Sequence, residues 1–131
     1  MNIMYYVATL VPLAILDVIW LFSMGGHYKS WLGHLFAPTV NFVPAVIFYL
    51  IYTAGITFFV VAPAIKSGHS FWVIFATGAL FGLVAYATYD LTNHATLKDW
   101  PLIVTIIDMA WGAFLTGTGA VVSVFIINYF K

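Results

Sequence analysis

The segment PLIVTIIDMAWGAFLTGTGAVVSVFIIN, residues 101–128, carries Asp108 as its single charged side chain. A helix needs roughly 20 mostly apolar residues to cross a hydrocarbon core that is about 30 Å thick. The apolar residues of this segment are continuous and do not alternate with polar ones, which favours a helix over a strand of a membrane barrel. The segment therefore predicts a membrane-spanning helix.

Three further segments of the chain have the same character. They cover about residues 3–24, 41–61 and 70–91, and the second stops before Pro63. The first has no Lys or Arg before its apolar run and contains Asp17, so we interpret it as a retained helix and not as a signal peptide. The sequence thus predicts an all-α integral membrane protein, a four-transmembrane-helix bundle in which residues 1–131 form a single domain.

The composition supports the same fold class. Hydrophobic residues make up 64% of the chain and charged residues only 6%, whereas a soluble domain carries about 25% charged residues. So few charges cannot cover a soluble surface, which excludes a soluble globular enzyme. The balance of four Lys and four Asp leaves no basic patch, so we exclude nucleic acid as a partner. The absence of Cys excludes disulfides and thiolate metal sites.

The longest connection, between the first two spans, has an amphipathic pattern. Large apolar side chains recur there at helical spacing, at Tyr28, Trp31, Leu32, Leu35 and Phe36. Gly25 and Gly26 allow the chain to turn after the first span, and Pro38 ends the segment. We predict a short interfacial helix between helices 1 and 2, with an aromatic belt at the membrane surface as its role.

The Lys residues do not fix the orientation of the chain in the membrane. Both ends of a four-helix bundle lie on one side, which we call face A, and this side carries Lys66 and Lys131. The opposite side, face B, carries Lys29 and Lys98. Equal numbers on both faces give the positive-inside rule no preference. A homodimer of antiparallel copies is therefore left open, and membrane lipid is an expected partner.

Charged residues inside the spans mark a candidate site, because an ionisable side chain is costly within a bilayer. Asp17 and Asp108 each lie about seven residues from the face B end of their predicted span, roughly 10 Å deep. Aromatic and amide side chains share their helix faces. We predict a polar pocket that opens toward face B, with the binding residues Asp17, Trp20, Tyr49, Tyr86, Tyr89, Asp90, Asn93, His94, Asp108 and Trp111. Asp99 is predicted to cap the start of the fourth span.

Two carboxylates at the same depth in the membrane can together bind a proton or a cation. Asp17 and Asp108 can share a proton or pair with a positively charged ligand, and aromatic rings can stack on a cationic group. The alternative is structural, because a buried Asp that accepts hydrogen bonds locks helices together. Asp90 and His94, spaced i, i+4, are weak candidates for metal ligands, but no His-rich zinc motif accompanies them. We therefore predict no metal, no cofactor and no catalytic residue.

Small residues at four-residue steps predict where two helices approach closely. Gly78 and Gly82 have this spacing in the third span, and Ala113 and Gly117 have it in the fourth. Short connections favour a contact between these two spans within one chain, and a contact across a dimer stays open.

Two stretches resemble a family of small bacterial predicted membrane proteins, domain of unknown function number two-one-seven-seven: YATYDLTNHATLKDWP at residues 86–101 and DMAWG at residues 108–112. LDVIW at residues 16–20 resembles the first helix of that family. The resemblance covers essentially the whole chain and is most specific at Tyr89, Asp90, Asn93 and His94. It implies a four-helix integral membrane protein of the bacterial cytoplasmic (inner) membrane, and it implies no particular activity, substrate or cofactor.

Three functions are compatible with these patterns. The sequence favours a protein that binds or transports a small polar or cationic molecule, or a lipid headgroup, in the Asp-lined pocket, with proton coupling through the carboxylates. The first alternative is a membrane-embedded enzyme acting on lipid or isoprenoid, in which Asp90 and His94 would serve as acid and base or as metal ligands. The second alternative is a structural or accessory membrane subunit. The lack of a nucleophile or metal cluster in the sequence favours a role without catalysis.

Overall fold

The computed structural model describes residues 2–131, and this part of the chain contains helices and turns but no strand. The elements are, in order, α1 (Ile3–Leu32), a 3₁₀ turn (Gly33–Leu35), α2 (Phe42–Ile56), a π-helical turn (Thr57–Val61), α3 (Ala62–Ser67), α4 (Phe71–Thr96) and α5 (Leu102–Phe130). Helix α2, the π-helical turn and α3 follow one another without a break. Within residues 2–131, four helical segments are long and apolar enough to cross a membrane. The predicted all-α fold class is confirmed.

Helix α1 continues through the residues for which a separate interfacial helix is predicted. Gly25 and Gly26 are helical, and α1 ends only at Leu32, before the 3₁₀ turn. The segment between the first two spans therefore differs from the prediction: it is the end of α1 and not an element of its own. The reason is packing, since Leu32 is buried against Trp100 and Val104 near the start of α5. This contact stabilises the helix beyond its two glycines.

The second span also extends beyond its predicted end at Val61. The backbone widens into a π-helical turn, in which the Ala62 N–H donates to the Thr57 carbonyl. Pro63 follows directly, inside a helix that continues without a break. The widened backbone of the π-helical turn accommodates the proline, which would otherwise clash with the preceding turn of a regular α-helix. The segment ends at Gly68, whose φ of 63° is left-handed and is typical of a residue that closes a helix.

The turn between α4 and α5 corrects the role predicted for Asp99. The N-cap position of α5 is Pro101, which makes no side-chain hydrogen bond. Asp99 has a φ of 59°, a left-handed conformation that Asp adopts more readily than most residues. The prediction that Asp99 caps the fourth span is therefore wrong, because its backbone is used to reverse the chain.

Helices α4 and α5 pack against each other in a regular antiparallel register, as the small-residue spacing predicts. Steps of four residues along both helices bring together Gly78 with Ala120, Gly82 with Thr116, and Tyr86 with Gly112. A Cβ atom on Gly78 would lie 3.1 Å from Ala120 Cβ, and a Cβ atom on Gly82 would lie 2.5 Å from Thr116 Oγ1. The close approach thus occurs within one chain.

Two buried clusters stabilise the bundle. The larger cluster, in the half of the bundle near face A, includes Leu13, Ile56, Val61, Leu115 and Ile127. The smaller cluster lies near face B and is formed by Leu32, Trp100 and Val104. Residues 42–48 of α2 are exposed on every side, so this helix packs loosely at the level between the clusters. An internal space remains there between α1, α2, α4 and α5.

Candidate functional site

A cavity of about 570 Å³ occupies this internal space, and every span contributes to its wall. Its volume falls within the range of roughly 300–1,000 Å³ that is typical of small-molecule sites. Along α1 the lining extends from Asp17 to Leu32, which corresponds to about 22 Å of helix. The lining residues are Asp17, Trp20, Leu21, Gly25, Tyr28, Leu32, Phe36, Phe48, Tyr49, Ala85, Tyr86, Tyr89, Val104, Asp108 and Trp111.

Asp17 faces the interior of the bundle and is only 6% exposed, so it does not contact lipid. The Trp111 Nε1–H donates a hydrogen bond to Asp17 Oδ1 at 3.0 Å. The ring of Trp111 is stacked on that of Trp20, with centroids 4.3 Å apart and planes inclined by 4°. The segments 17–20 and 108–111 both have the sequence Asp-x-x-Trp. They meet in the cavity, where the Trp111 indole binds the Asp17 carboxylate.

Asp108 is held by a residue that the sequence does not predict as part of the site. The Tyr28 hydroxyl donates a hydrogen bond to Asp108 Oδ1 at 2.9 Å, and its ring lies edge-on to Trp20 at 6.3 Å. The pattern of the sequence predicts Tyr28 as a surface aromatic because the first span is expected to end before it. If α1 is extended through Gly25, helical spacing places Tyr28 on the same face as Asp17.

The two carboxylates lie at successive depths, which corrects the prediction of a single level. Asp17 is bound by Trp111, which follows Asp108 by about one helical turn in α5. Since α5 runs from face B toward face A, Asp17 lies deeper in the membrane than Asp108. The physical reason is the length of α1, which ends at Leu32 and not at Met24, so Asp17 lies near the middle of this helix.

The wall of the cavity is acidic and aromatic. Its lining contains two carboxylates and no Lys, Arg or His among the described residues 2–131. Each carboxylate accepts one hydrogen bond, from Trp111 at Asp17 and from Tyr28 at Asp108. The second oxygen of Asp17 is neither bonded within residues 2–131 nor fully buried, whereas Asp108 also lies within hydrogen-bonding reach of Asp90. The aromatic lining residues are Trp20, Tyr28, Phe36, Phe48, Tyr49, Tyr86, Tyr89 and Trp111. Such a wall can accept a hydrogen bond or a positive charge and can cover apolar groups of a ligand.

Seven of the ten predicted site residues line this cavity, and Asp90, Asn93 and His94 do not. Asp90 is fully buried, and its carboxyl group lies within hydrogen-bonding reach of that of Asp108. Neither of its oxygens has a hydrogen-bond donor among residues 2–131. Asn93 is half-buried outside the lining. Each residue's role as a ligand contact stays a prediction.

His94 belongs to a separate polar contact at the face B end of the bundle. Its Nδ1 lies 3.1 Å from Thr105 Oγ1, and that oxygen accepts a hydrogen bond from the Trp100 Nε1–H at 3.0 Å. Across residues 2–131, no group of three or more His, Cys, Asp or Glu side chains has the geometry to hold a metal ion. Asp90 and His94 both lie on α4, but Asp90 lies beside Asp108 of α5 and His94 contacts Thr105 of α5.

No curated protein and no solved structure shows significant similarity to the chain. A family model described as "Predicted membrane protein (DUF2177)" matches residues 2–125. This match covers the aromatic and acidic wall of the cavity as well as the first span. It agrees with the resemblance of residues 86–112 and identifies the chain as a member of the DUF2177 family of predicted membrane proteins.

Proposed function

We propose that this integral membrane protein binds a small organic cation in the cavity between its four spans. The observation that carries the proposal is the pair of carboxylates, Asp17 and Asp108, that both line a cavity whose wall has no basic side chain among the described residues. A cation supplies the positive charge that this wall lacks. The low-dielectric walls of the cavity screen electrostatic interactions less than bulk water does, which strengthens the attraction between the carboxylates and a cation.

The aromatic side chains support a cation with an apolar body. Indole rings bind cations most strongly of the aromatic groups, with about 2 kcal/mol at desolvated sites, and Trp20 and Trp111 both line the cavity. Most of the remaining wall is apolar, so alkyl or aryl groups of a ligand gain free energy by leaving water. We therefore propose an ammonium group carried on a hydrocarbon body. A free amine and a lipid headgroup both have this chemistry.

The main competing role is a structural one. The hydrogen bonds Trp111–Asp17 and Tyr28–Asp108 both join α1 to α5. Buried carboxylates whose only role is to hold two helices together, which we call a helix lock, would make the same bonds. A structural role alone does not explain the cavity of about 570 Å³ or the unbonded oxygen of Asp17. The two roles differ in one measurable respect, because only the proposed function requires a ligand.

The experiment is a titration of the purified protein with benzyltrimethylammonium, followed by tryptophan fluorescence. The neutral analogue (2,2-dimethylpropyl)benzene has nearly the same shape and controls for partition into detergent. We expect saturable quenching by the cation and none by the analogue. We expect Asp17→Asn and Asp108→Asn each to weaken binding about 10- to 100-fold, because each substitution removes one of the two negative charges that attract the cation, and a loss of about 1.4 kcal/mol weakens binding tenfold. The double variant should not bind.

Asp99→Asn is the matched control, since this residue lies in the exposed turn before α5 and outside the cavity. Its affinity should equal that of the unchanged protein. Binding of the neutral analogue with equal affinity, or unchanged binding by the double variant, would contradict the proposal and favour the helix lock. A titration with a short-chain phosphatidylcholine distinguishes a lipid headgroup from a free cation.

We also propose the bacterial cytoplasmic membrane as the location of the protein. Helical spans support this proposal, because the integral proteins of the bacterial outer membrane are barrels. Contact with membrane lipid and an antiparallel homodimer remain predictions from the composition.

A further inference from the structure

The register of α4 and α5 places two carboxyl groups opposite each other. Facing positions follow in steps of four residues, and Tyr86 faces Gly112. One step further toward face B, Asp90 faces Asp108. The next step of four pairs His94 with Val104, and His94 contacts the neighbouring residue, Thr105, at 3.1 Å. The Asp90–Asp108 pair is therefore bracketed on both sides by observed contacts between the helices.

The two members of this pair have different surroundings. Asp108 lines the cavity and accepts a hydrogen bond from Tyr28. Asp90 is 0% exposed, and neither of its oxygens has a partner among residues 2–131. The ionisable side chains close to Asp90 are Asp108 from α5, Tyr28 from α1 and Tyr89 from its own helix. None of these residues supplies a positive charge.

A charge at Asp90 has no compensation in these surroundings. An ionised carboxylate in a buried site needs a counter-charge or several hydrogen-bond donors, and otherwise it takes up a proton. A neutral carboxyl group has one O–H that requires an acceptor. The oxygen of Asp108 that Tyr28 leaves free is the acceptor that the register brings to Asp90.

We propose that Asp90 and Asp108 form a one-proton site, in which the proton resides on the buried Asp90 and is donated in a hydrogen bond to the Asp108 carboxylate. Asp90 thus holds a proton at neutral pH, and Asp108 exposes the single negative charge of the pair to the cavity. The role of this proton site in cation binding rests on the proposed function. A cation that binds to Asp108 competes with the proton for the same charge, so each weakens the binding of the other.

The proton site is tested without any cation. Infrared spectra of the protein in lipid at pH 7 should show the C=O stretching band of a protonated carboxyl group. Asp90→Asn should remove this band, and the control Asp99→Asn should leave it unchanged. Asp108→Asn should retain the band at a higher frequency, because the Asp90 O–H then loses its charged acceptor. Far-UV circular dichroism checks that each variant keeps its helices.

Several results would overturn the one-proton site. They are the lack of a protonated carboxyl band in the unchanged protein at pH 7, its survival in Asp90→Asn, and its complete loss in Asp17→Asn. If Asp90→Asn does not fold, the spectrum of Asp108→Asn tests the proposal instead. A carboxyl band at the same frequency in Asp108→Asn and in the unchanged protein would mean that the proton does not contact Asp108. These spectra require no ligand, so they can succeed even if benzyltrimethylammonium does not bind.

Coupling to the cation is measured separately as proton release. Addition of benzyltrimethylammonium to weakly buffered protein should release protons, which a soluble pH dye detects. Asp90→Asn should still bind the cation but release no proton, because Asp108 alone is already ionised. Cation binding without proton release in the unchanged protein overturns the coupling but leaves the proton site and the cation site intact.

Discussion

Gly82→Ala is expected to lower the free energy of unfolding by about 3 kcal/mol, the upper part of the range for an added group in a packed interior. A Cβ atom at this position would overlap the Gly112 carbonyl oxygen and would lie 2.5 Å from Thr116 Oγ1. A backbone carbonyl cannot move without its helix, so α4 and α5 have to separate. Thr116 also shares a buried hydrogen bond of 2.6 Å with the Tyr52 hydroxyl, which the separation would strain.

The matched control for this substitution is Gly26→Ala in α1. A Cβ atom on Gly26 would meet nothing within 4 Å, and Ala favours a helix over Gly by up to about 1 kcal/mol. Gly26→Ala should therefore be neutral or slightly stabilising. Unfolding of both variants in detergent micelles, followed by far-UV circular dichroism, gives the comparison. Equal stability of the two variants would mean that α4 and α5 are not in close contact at Gly82.

Trp111→Ala is expected to lower the free energy of unfolding by about 3 kcal/mol, the lower limit for removal of a packed Trp. The lower limit applies because Trp111 is only half-buried. The substitution removes the ring stacked on Trp20 and the donor of the hydrogen bond to Asp17. A carboxylate inside the bundle then has no bonded partner. Thermal unfolding of the purified protein measures the loss.

Two comparison variants separate the contributions of Trp111. Trp111→Phe keeps an aromatic ring against Trp20 but cannot donate to Asp17, so its stability should lie between those of the unchanged protein and Trp111→Ala. Trp72→Ala removes a Trp that is 74% exposed and should cost less than about 1 kcal/mol. The stacked pair would have no stabilising role if Trp111→Ala and Trp72→Ala unfolded at the same temperature.

The spans of this protein can be predicted from its sequence because four long apolar segments require a membrane, whatever their local details. Their ends cannot be predicted in the same way. Local sequence patterns predict a turn at Gly25 and a helix end at Pro63, yet both residues lie within helices. Packing of Leu32 extends α1 past Gly25, and the π-helical turn accommodates Pro63. Both effects depend on neighbouring helices that are distant in the sequence.

The carboxylates of the candidate site can be predicted because a charge within an apolar span has to face protein or water. Their hydrogen-bond donors depend on the ends of the helices. Once α1 is taken to end at Met24, Tyr28 falls outside the bundle and Asp17 is placed too near face B. To predict that Asp108 faces Asp90, one must also know the register in which α4 packs against α5. The four-residue spacing of Gly78 and Gly82 indicates which face of α4 is packed, but it does not identify the facing residues of α5.

The length of α1 has a consequence for the lipid around the protein. Its 30 residues correspond to about 45 Å of helix, whereas the hydrocarbon core is about 30 Å thick. An ordinary tilt of about 20° removes only a few ångströms of this hydrophobic mismatch, so we expect the last turns of α1, with Tyr28 and Leu32, to project among the phospholipid headgroups. Longer acyl chains would immerse these turns in hydrocarbon, and shorter ones would expose them to water. We therefore expect bilayer thickness to change the access of water and ions to the Tyr28–Asp108 end of the cavity.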